Sequence, residues 1–248
     1  SVTTPSVARS MVDVAEARRL VEAYFGDIPP QPQPPRPDLS EPEATEPRSL
    51  VYHDPLAKVP AVVAGYPGPQ RRSPGFNALV MLDILLTAGD SSRFYQNLVK
   101  GRKSVIQYEA NLGWPFSGPV DYRDPGMYAM YFLYNPQFTG EEVAVQAEQE
   151  AARIRDEGVP EEELARARTF LRASRIRQLQ GSRVRAALLG QYELIDHAPE
   201  LINTELNEYL AVSVDAIRDA AARYISPEKR ILLDIVPSQA EEPSEVAR

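Results

Sequence analysis

Apolar residues recur along the chain in two rhythms, and the change of rhythm marks out its elements. Val14, Ala17, Leu20, Val21 and Tyr24 form a stripe at helical spacing that predicts a helix over 12–25, capped by Asp13 and stopped by Gly26. Ser49–His53 and Val59–Tyr66 read as strands, with Pro55 in the turn between them. Phe76–Thr87 is apolar nearly all round and predicts a buried helix. After Gly89 a second helix is expected from Ser91 or Ser92 through Lys100. Strands come next at Ser104–Leu112, which alternates, and at Met127–Tyr134, which carries Tyr128, Tyr131, Phe132 and Tyr134; a loop joins them. From Thr139 the period turns helical. It predicts helices to Asp156, from Pro160 to about Gln180, and over 182–195, 199–210 and 215–224, before a closing strand at Ile231–Val236.

Strands joined by short connections favour antiparallel pairing, and the long helical block must cover one face of their sheet. The expected class is therefore α+β, a mostly antiparallel sheet with helices on one face. Between the first helix and the first strand, residues 29–47 carry eight prolines, at 29, 30, 32, 34, 35, 37, 42 and 47. No buried element tolerates that density, so the stretch is expected to be an extended linker. The expected organisation is a terminal helical piece over 1–28, whose first ten residues are unstructured, the linker over 29–47, a main domain over 48–237 and a polar tail over 238–248. A single short helix cannot bury its own apolar stripe, so the first one is expected to dock on something else.

Composition narrows the chemistry. The 248 residues carry a net charge of −8, which argues against nucleic acid and anionic membranes as partners. There is no cysteine, so no disulfide, thiolate nucleophile or Cys-based metal site is available. No apolar run is long enough to span a bilayer, and the first residues show no basic region followed by an apolar core. The chain does not begin with Met, so it is read as a processed or truncated piece whose leader could lie upstream.

Six segments, taken in order, resemble one family. They are Glu16–Pro29, Gly65–Pro69, Ile84–Val99 (with its helix, glycine, Ser92-Arg93-Phe94 and second helix), Asp124–Tyr128, Glu157–Arg168 and Tyr224–Arg230. Together they resemble the pitrilysin-like (M16) zinc metallopeptidases, in the non-catalytic repeat that follows the catalytic one. The resemblance implies a two-repeat enzyme. One repeat binds zinc through an inverted His-x-x-Glu-His on a helix and a distal Glu. The other walls a closed chamber and helps to hold an extended peptide. It also implies that residues 12–28 close a preceding repeat. Its bacterial members lean toward a periplasmic or extracytoplasmic setting.

The chain has only two histidines, His53 and His197, far apart in sequence, and cannot supply two imidazoles at helical i, i+4 spacing. No catalytic residue and no metal ligand is therefore assigned here, and zinc is expected in the catalytic half, which is the expected partner alongside a peptide substrate. Glu161, Glu162 and Glu163 read as favourable charge at a helix N-terminus, and Ser91 and Ser92 as caps. In active members the second half also contributes an Arg and, seven residues later, a Tyr that touch bound peptide. The matching positions here are Val99 and Ile106, both aliphatic. Arg93 by position, and Arg102 and Tyr108 as out-of-register replacements, are the candidate substrate-binding residues; local structural roles are the alternative. The chain is thus read as the supporting half of a zinc peptidase, inactive alone. A degenerate scaffold or assembly subunit, or an unrelated α+β binding domain, are the competing readings.

Overall fold

A computed structural model describes residues 13–114 and 122–238, apart from residues 33, 36, 39–41 and 43–45. The expectations for residues 1–10, for most of the 114–124 loop and for the end of the tail lie outside the described residues. The chain divides into two units, residues 1–42 and 43–248. In the first, α1 (Val14–Phe25) starts at Asp13, whose carboxylate accepts from the N–H groups of Ala15 and Glu16. Exposed Arg18–Glu22 and Arg19–Glu16 pairs lie along it, at helical i, i+4 and i, i+3 spacing, where water and salt screen them. None of its residues is buried.

The second unit contains β1 (Arg48–Asp54), β2 (Ala61–Pro67), α2 (Pro74–Thr87), a π-helix at Phe94–Gly101, β3 (Val105–Trp114) and β4 (Met127–Tyr134). Beyond these lie α3 (Gly140–Glu157), α4 (Glu161–Gln178), α5 (Ser182–Gln191), a second π-helix at Tyr192–Asp196, α6 (Leu201–Leu210), α7 (Val214–Tyr224) and β5 (Ile231–Pro237). Both π-helices fall where helix is expected; each opens the ladder by one residue and re-aims the chain beyond it.

The five strands form one sheet in the order β1-β5-β2-β4-β3. All pairs are antiparallel except β1 with β5. The short β1–β2 connection therefore does not make the hairpin that chain proximity suggests. Strand β5 inserts between them, with Leu232 buried against the core and Leu233 and Ile235 half-buried. A strand with apolar residues on both faces suits a central position, and it displaces the polar-ended β1 to the rim.

Alternation on β2 and β4 shows why the helices sit on one side. Val62, Ala64, Tyr66, Tyr128, Met130, Phe132 and Tyr134 all point into the core, whereas Val63, Tyr131 and Leu133 on the other face are only half-buried. Helix α2 lies over the core face. Its Phe76, Leu79, Met81, Leu82 and Leu86 have almost no exposure, and each contributes roughly 1.5–3 kcal/mol by leaving water. Helices α3 and α7 pack beside it. A capping box starts α3, with Thr139 Oγ1 accepting from Glu142 N–H and the Glu142 carboxylate accepting from Thr139 N–H. Glycine at the next position leaves room for Asp234, since a Cβ on Gly140 would lie 2.5 Å from its carboxyl carbon and force that side chain to shift. That carboxylate accepts from Tyr134 Oη at 2.7 Å and from Gly140 N–H.

Two buried charge networks hold the helical block, one to the sheet and one to the loop before α2. Arg230, just before β5, donates to Glu148 and Glu141 of α3, and Tyr66 Oη of β2 donates to Glu148 at 2.7 Å. Arg71, before α2, pairs with Asp196 and lies 3.9 Å from Glu205. Arg175 and Tyr192 complete that second cluster around Glu205. Such groups are retained because each charge is met by another; removing one member leaves its partner buried and uncompensated.

Candidate functional site

The stretch from the end of α2 to β3 carries the three candidate residues. Gly89, with φ of 72°, turns the chain after α2 where a side chain would be strained. The turn places Ser92 in the interior, its Oγ accepting from Tyr95 N–H three residues on, as a cap does. Tyr108 of β3 reaches the same point: its Oη shares a 2.9 Å hydrogen bond with Ser92 Oγ and donates to the Thr87 carbonyl at 3.1 Å. Burial is the main reason its hydroxyl titrates above the ordinary tyrosine range. Its ring stands edge-on to Phe94, 5.7 Å between centroids, and Phe94 in turn packs on Phe132.

Arg93 turns the other way. Its Nε and Nη2 donate to both carboxylate oxygens of Glu163 at 2.8 and 2.9 Å, with both side chains largely covered. The glutamate expected to serve only the N-terminus of α4 thus also anchors the turn through a two-pronged pair. This pair borders an open cleft of about 410 Å³ between α2, the 89–91 turn and α4, lined by Ile84, Ala88, Asp90, Arg166 and Phe170 among others.

Arg102 lies at the far end of the π-helix, exposed, and donates to Gln149 of α3 at 3.1 Å. The structure thus brings Arg93 and Tyr108 together on either side of Ser92 and leaves Arg102 apart from them. Val99 is half-buried and Ile106 is exposed. One group stands outside the sequence-based candidates: Asp83, a lone carboxyl inside the apolar α2. It accepts from Tyr128 Oη at 2.9 Å, and burial pushes it up to about 7. The sequence does carry a signal for it, since an acid in a Leu/Ile run is out of place unless it has a partner.

These residues do not fit a zinc site. His53 is on β1, and His197 follows the second π-helix in a left-handed conformation. Among the described residues no group of three or more His, Cys, Asp or Glu could hold a metal ion. Nor is any helix among them long and apolar enough to cross a membrane.

Comparison with known proteins places this geometry. No curated protein matches the chain. Among solved structures, a protease from Helicobacter pylori superposes with a TM-score of 0.79 at 19% identity, over 91% of this chain and 53% of its own. The inactive peptidase domain of a protein designated a zinc protease, from Bordetella parapertussis, gives 0.64 at 19% identity, over 77% of this chain and 97% of its own. The ferredoxin protease FusC, in complex with Arabidopsis ferredoxin, gives 0.65 at 16% identity, over 92% of this chain and 24% of its own. The chain therefore spans about half the length of the Helicobacter protease and a quarter of FusC. At these identities the likeness establishes the fold. The family model described as the peptidase M16 inactive domain matches residues 7–171, well over half the chain and including both α1 and the Pro-rich stretch. The chain belongs to the peptidase M16 family, as an inactive domain.

Proposed function

We propose that this chain is the supporting half of a zinc metallopeptidase, walling a peptide-binding chamber completed by a His-x-x-Glu-His half. The observation that carries the reading is the one-sided sheet. Its helix-free face bears the half-buried side chains Val63, Tyr131, Leu133, Leu233 and Ile235, a broad apolar surface suited to line an enclosed space. The inactive-domain match supports it. So does FusC, whose similar quarter belongs to a protease seen with a protein bound. On this reading α1 closes the repeat that precedes the linker, and its apolar stripe packs there.

Among the candidate residues Arg102 is the exposed one; it lies beside α3, at the margin of the wall rather than on its helix-free face, and would offer a cation to carbonyls or acidic side chains of a peptide reaching that margin. Arg93 and Tyr108, each occupied by internal partners, position the β3 end of the wall. No bond-breaking step is routed through this chain, and zinc belongs to the other half.

The test is peptide cleavage in the presence of zinc, with this chain alone and mixed with a His-x-x-Glu-His half. Silence alone and cleavage on mixing is expected, with Arg102→Ala raising KM by about tenfold and leaving kcat near wild type, as for lost uniform binding. Zinc-dependent cleavage by the chain alone would overturn the reading. A stable complex that never cleaves would favour a scaffold subunit.

A further inference from the structure

The outer edge of β1, to which no other described strand is paired, is unlike that of an ordinary rim strand. It runs seven residues in unbroken register with β5, with no proline, lysine or bulge, the devices that usually blunt such an edge. Leu50, Val51 and Tyr52 are each more than half exposed. Arg48 N–H donates to the Arg230 carbonyl, and the Asp54 carbonyl accepts from Ser238 N–H. In a parallel ladder such groups alternate, so the even-numbered residues serve β5 while Ser49, Val51 and His53 present their N–H and C=O groups outward.

The strand reads Arg48-Ser49-Leu50-Val51-Tyr52-His53-Asp54, and it complements itself when reversed. An antiparallel pairing of two copies centred on Val51 sets Val51 opposite Val51 and Ser49 opposite His53. These are the positions whose backbone groups point outward, so every one of them finds a partner. The same register sets Leu50 opposite Tyr52 twice, and Arg48 opposite Asp54 twice. These fall at the closely spaced non-hydrogen-bonded positions, about 4.5 Å between Cα atoms, where cross-strand side chains interact most strongly. All four of these residues lie on the helix-free face, beside Leu233 and Ile235. Shifting the register by two residues sets Pro47 or Pro55, which have no N–H to donate, opposite an outward-facing residue, and it loses the two Arg–Asp pairs. Asp54 Oδ1 already accepts from Leu56 N–H, which fixes the carboxylate and leaves its second oxygen for the arginine.

We infer that β1 is a homodimer seam: a second copy of this chain adds its own β1 antiparallel across the edge, in the register centred on Val51, and joins the two sheets into one. The occupant is the chain itself because a strand of unrelated sequence would have to reproduce both the apolar centre and the reversed charges at its ends.

Sedimentation of the 248-residue chain over a concentration series tests this. Twice the monomer mass is expected for the wild type. Val51→Pro removes one outward N–H without touching the β5 ladder and should raise the dissociation constant roughly tenfold or more at an unchanged melting temperature for the monomer. Arg48→Asp and Asp54→Arg each set like charges opposite one another twice and should each be monomeric. An equimolar mixture of these two variants restores both pairs and should yield a heterodimer. A monomeric wild type overturns the inference, as does a dimer indifferent to Val51→Pro. Failure of the two charge variants to pair with each other overturns the register.

Discussion

The two edges of the sheet are built on opposite plans. At the β3 edge the register shifts at both ends of the strand, between Val105 and Gln107 and between Leu112 and Trp114. The strand is braced from behind by the π-helix and the end of α2, with Tyr108, Phe94 and Ser92 interlocked. At the β1 edge the register is unbroken, six of the seven residues are exposed, and β5 is the sole described strand beside it. Bulges twist an edge away from further pairing, whereas a flat, regular, apolar edge invites it. The difference separates two tasks: one end of the sheet holds fixed side chains in place, and the other is available to backbone pairing.

Substitutions at the two ends should differ most in their effect on stability. Phe94→Ala removes a fully buried ring wedged against Tyr108 and Phe132 and should cost about 3–5 kcal/mol in denaturant unfolding. Leu50→Ala on β1, measured where the chain is monomeric, should change stability by about 0.5 kcal/mol or less. Equal losses at the two positions would erase the contrast.

A smaller and pH-dependent effect belongs to the braced end, where Asp83 of α2 lies over Tyr128. The unfolded carboxyl ionises near 3.8 and the folded one near 7, so between these values the folded chain holds the proton more firmly. Stability contributed by this group is therefore greatest below pH 4, declines as pH rises, and levels off above 7. Asp83→Asn keeps an acceptor for Tyr128 and cannot ionise. Each tenfold difference in proton affinity between folded and unfolded chain corresponds to about 1.4 kcal/mol, so the advantage of Asp83→Asn over wild type should be larger at pH 8 than at pH 4 by up to about 4 kcal/mol. Unfolding curves of both proteins at the two pH values check this, and a difference independent of pH would mean that the carboxyl is not held neutral by burial.

The smallest change expected is that of Tyr108→Phe, which keeps the ring against Phe94 and loses the hydroxyl bonds to Ser92 and Thr87. It should cost about 1 kcal/mol in thermal unfolding. A loss several times larger would make the hydroxyl, rather than the ring, the chief brace of the β3 edge.

Local pattern carries much of this architecture. The helical stripe of α1, the apolar run of α2 and the alternation of β4 express periodicities of 3.6 and 2, and their elements stand where those rhythms put them. The one-sided sheet is implied by the long helical block. Pairing over distance is beyond the reach of local pattern. The β1–β2 connection looks like a hairpin because nothing near it shows that Ile231–Pro237 will intervene. The two π-helices look like plain helix in the sequence, since one extra residue in a turn leaves the apolar spacing nearly intact. At the candidate site, Arg93 and Tyr108 can be named from the sequence, but their partners cannot. Glu163 is seventy residues from Arg93, and the turn at Gly89 is needed before Ser92 can meet Tyr108.

The parallel pairing of β1 with β5 also bears on how the domain is made. During synthesis β1 leaves the ribosome first of the five strands, yet its neighbour in the sheet is the last of the five to be translated. Until then Leu50, Val51 and Tyr52 have no ladder to join, and closing so long a loop is slow compared with local helix formation. The sheet can assemble from β2, β4 and β3 while the chain is still growing, but its rim is completed only once Ile231–Pro237 has emerged. Loss of that last strand from this domain would therefore free a strand at the near end, and the nascent chain would meet the cell with an adhesive segment exposed.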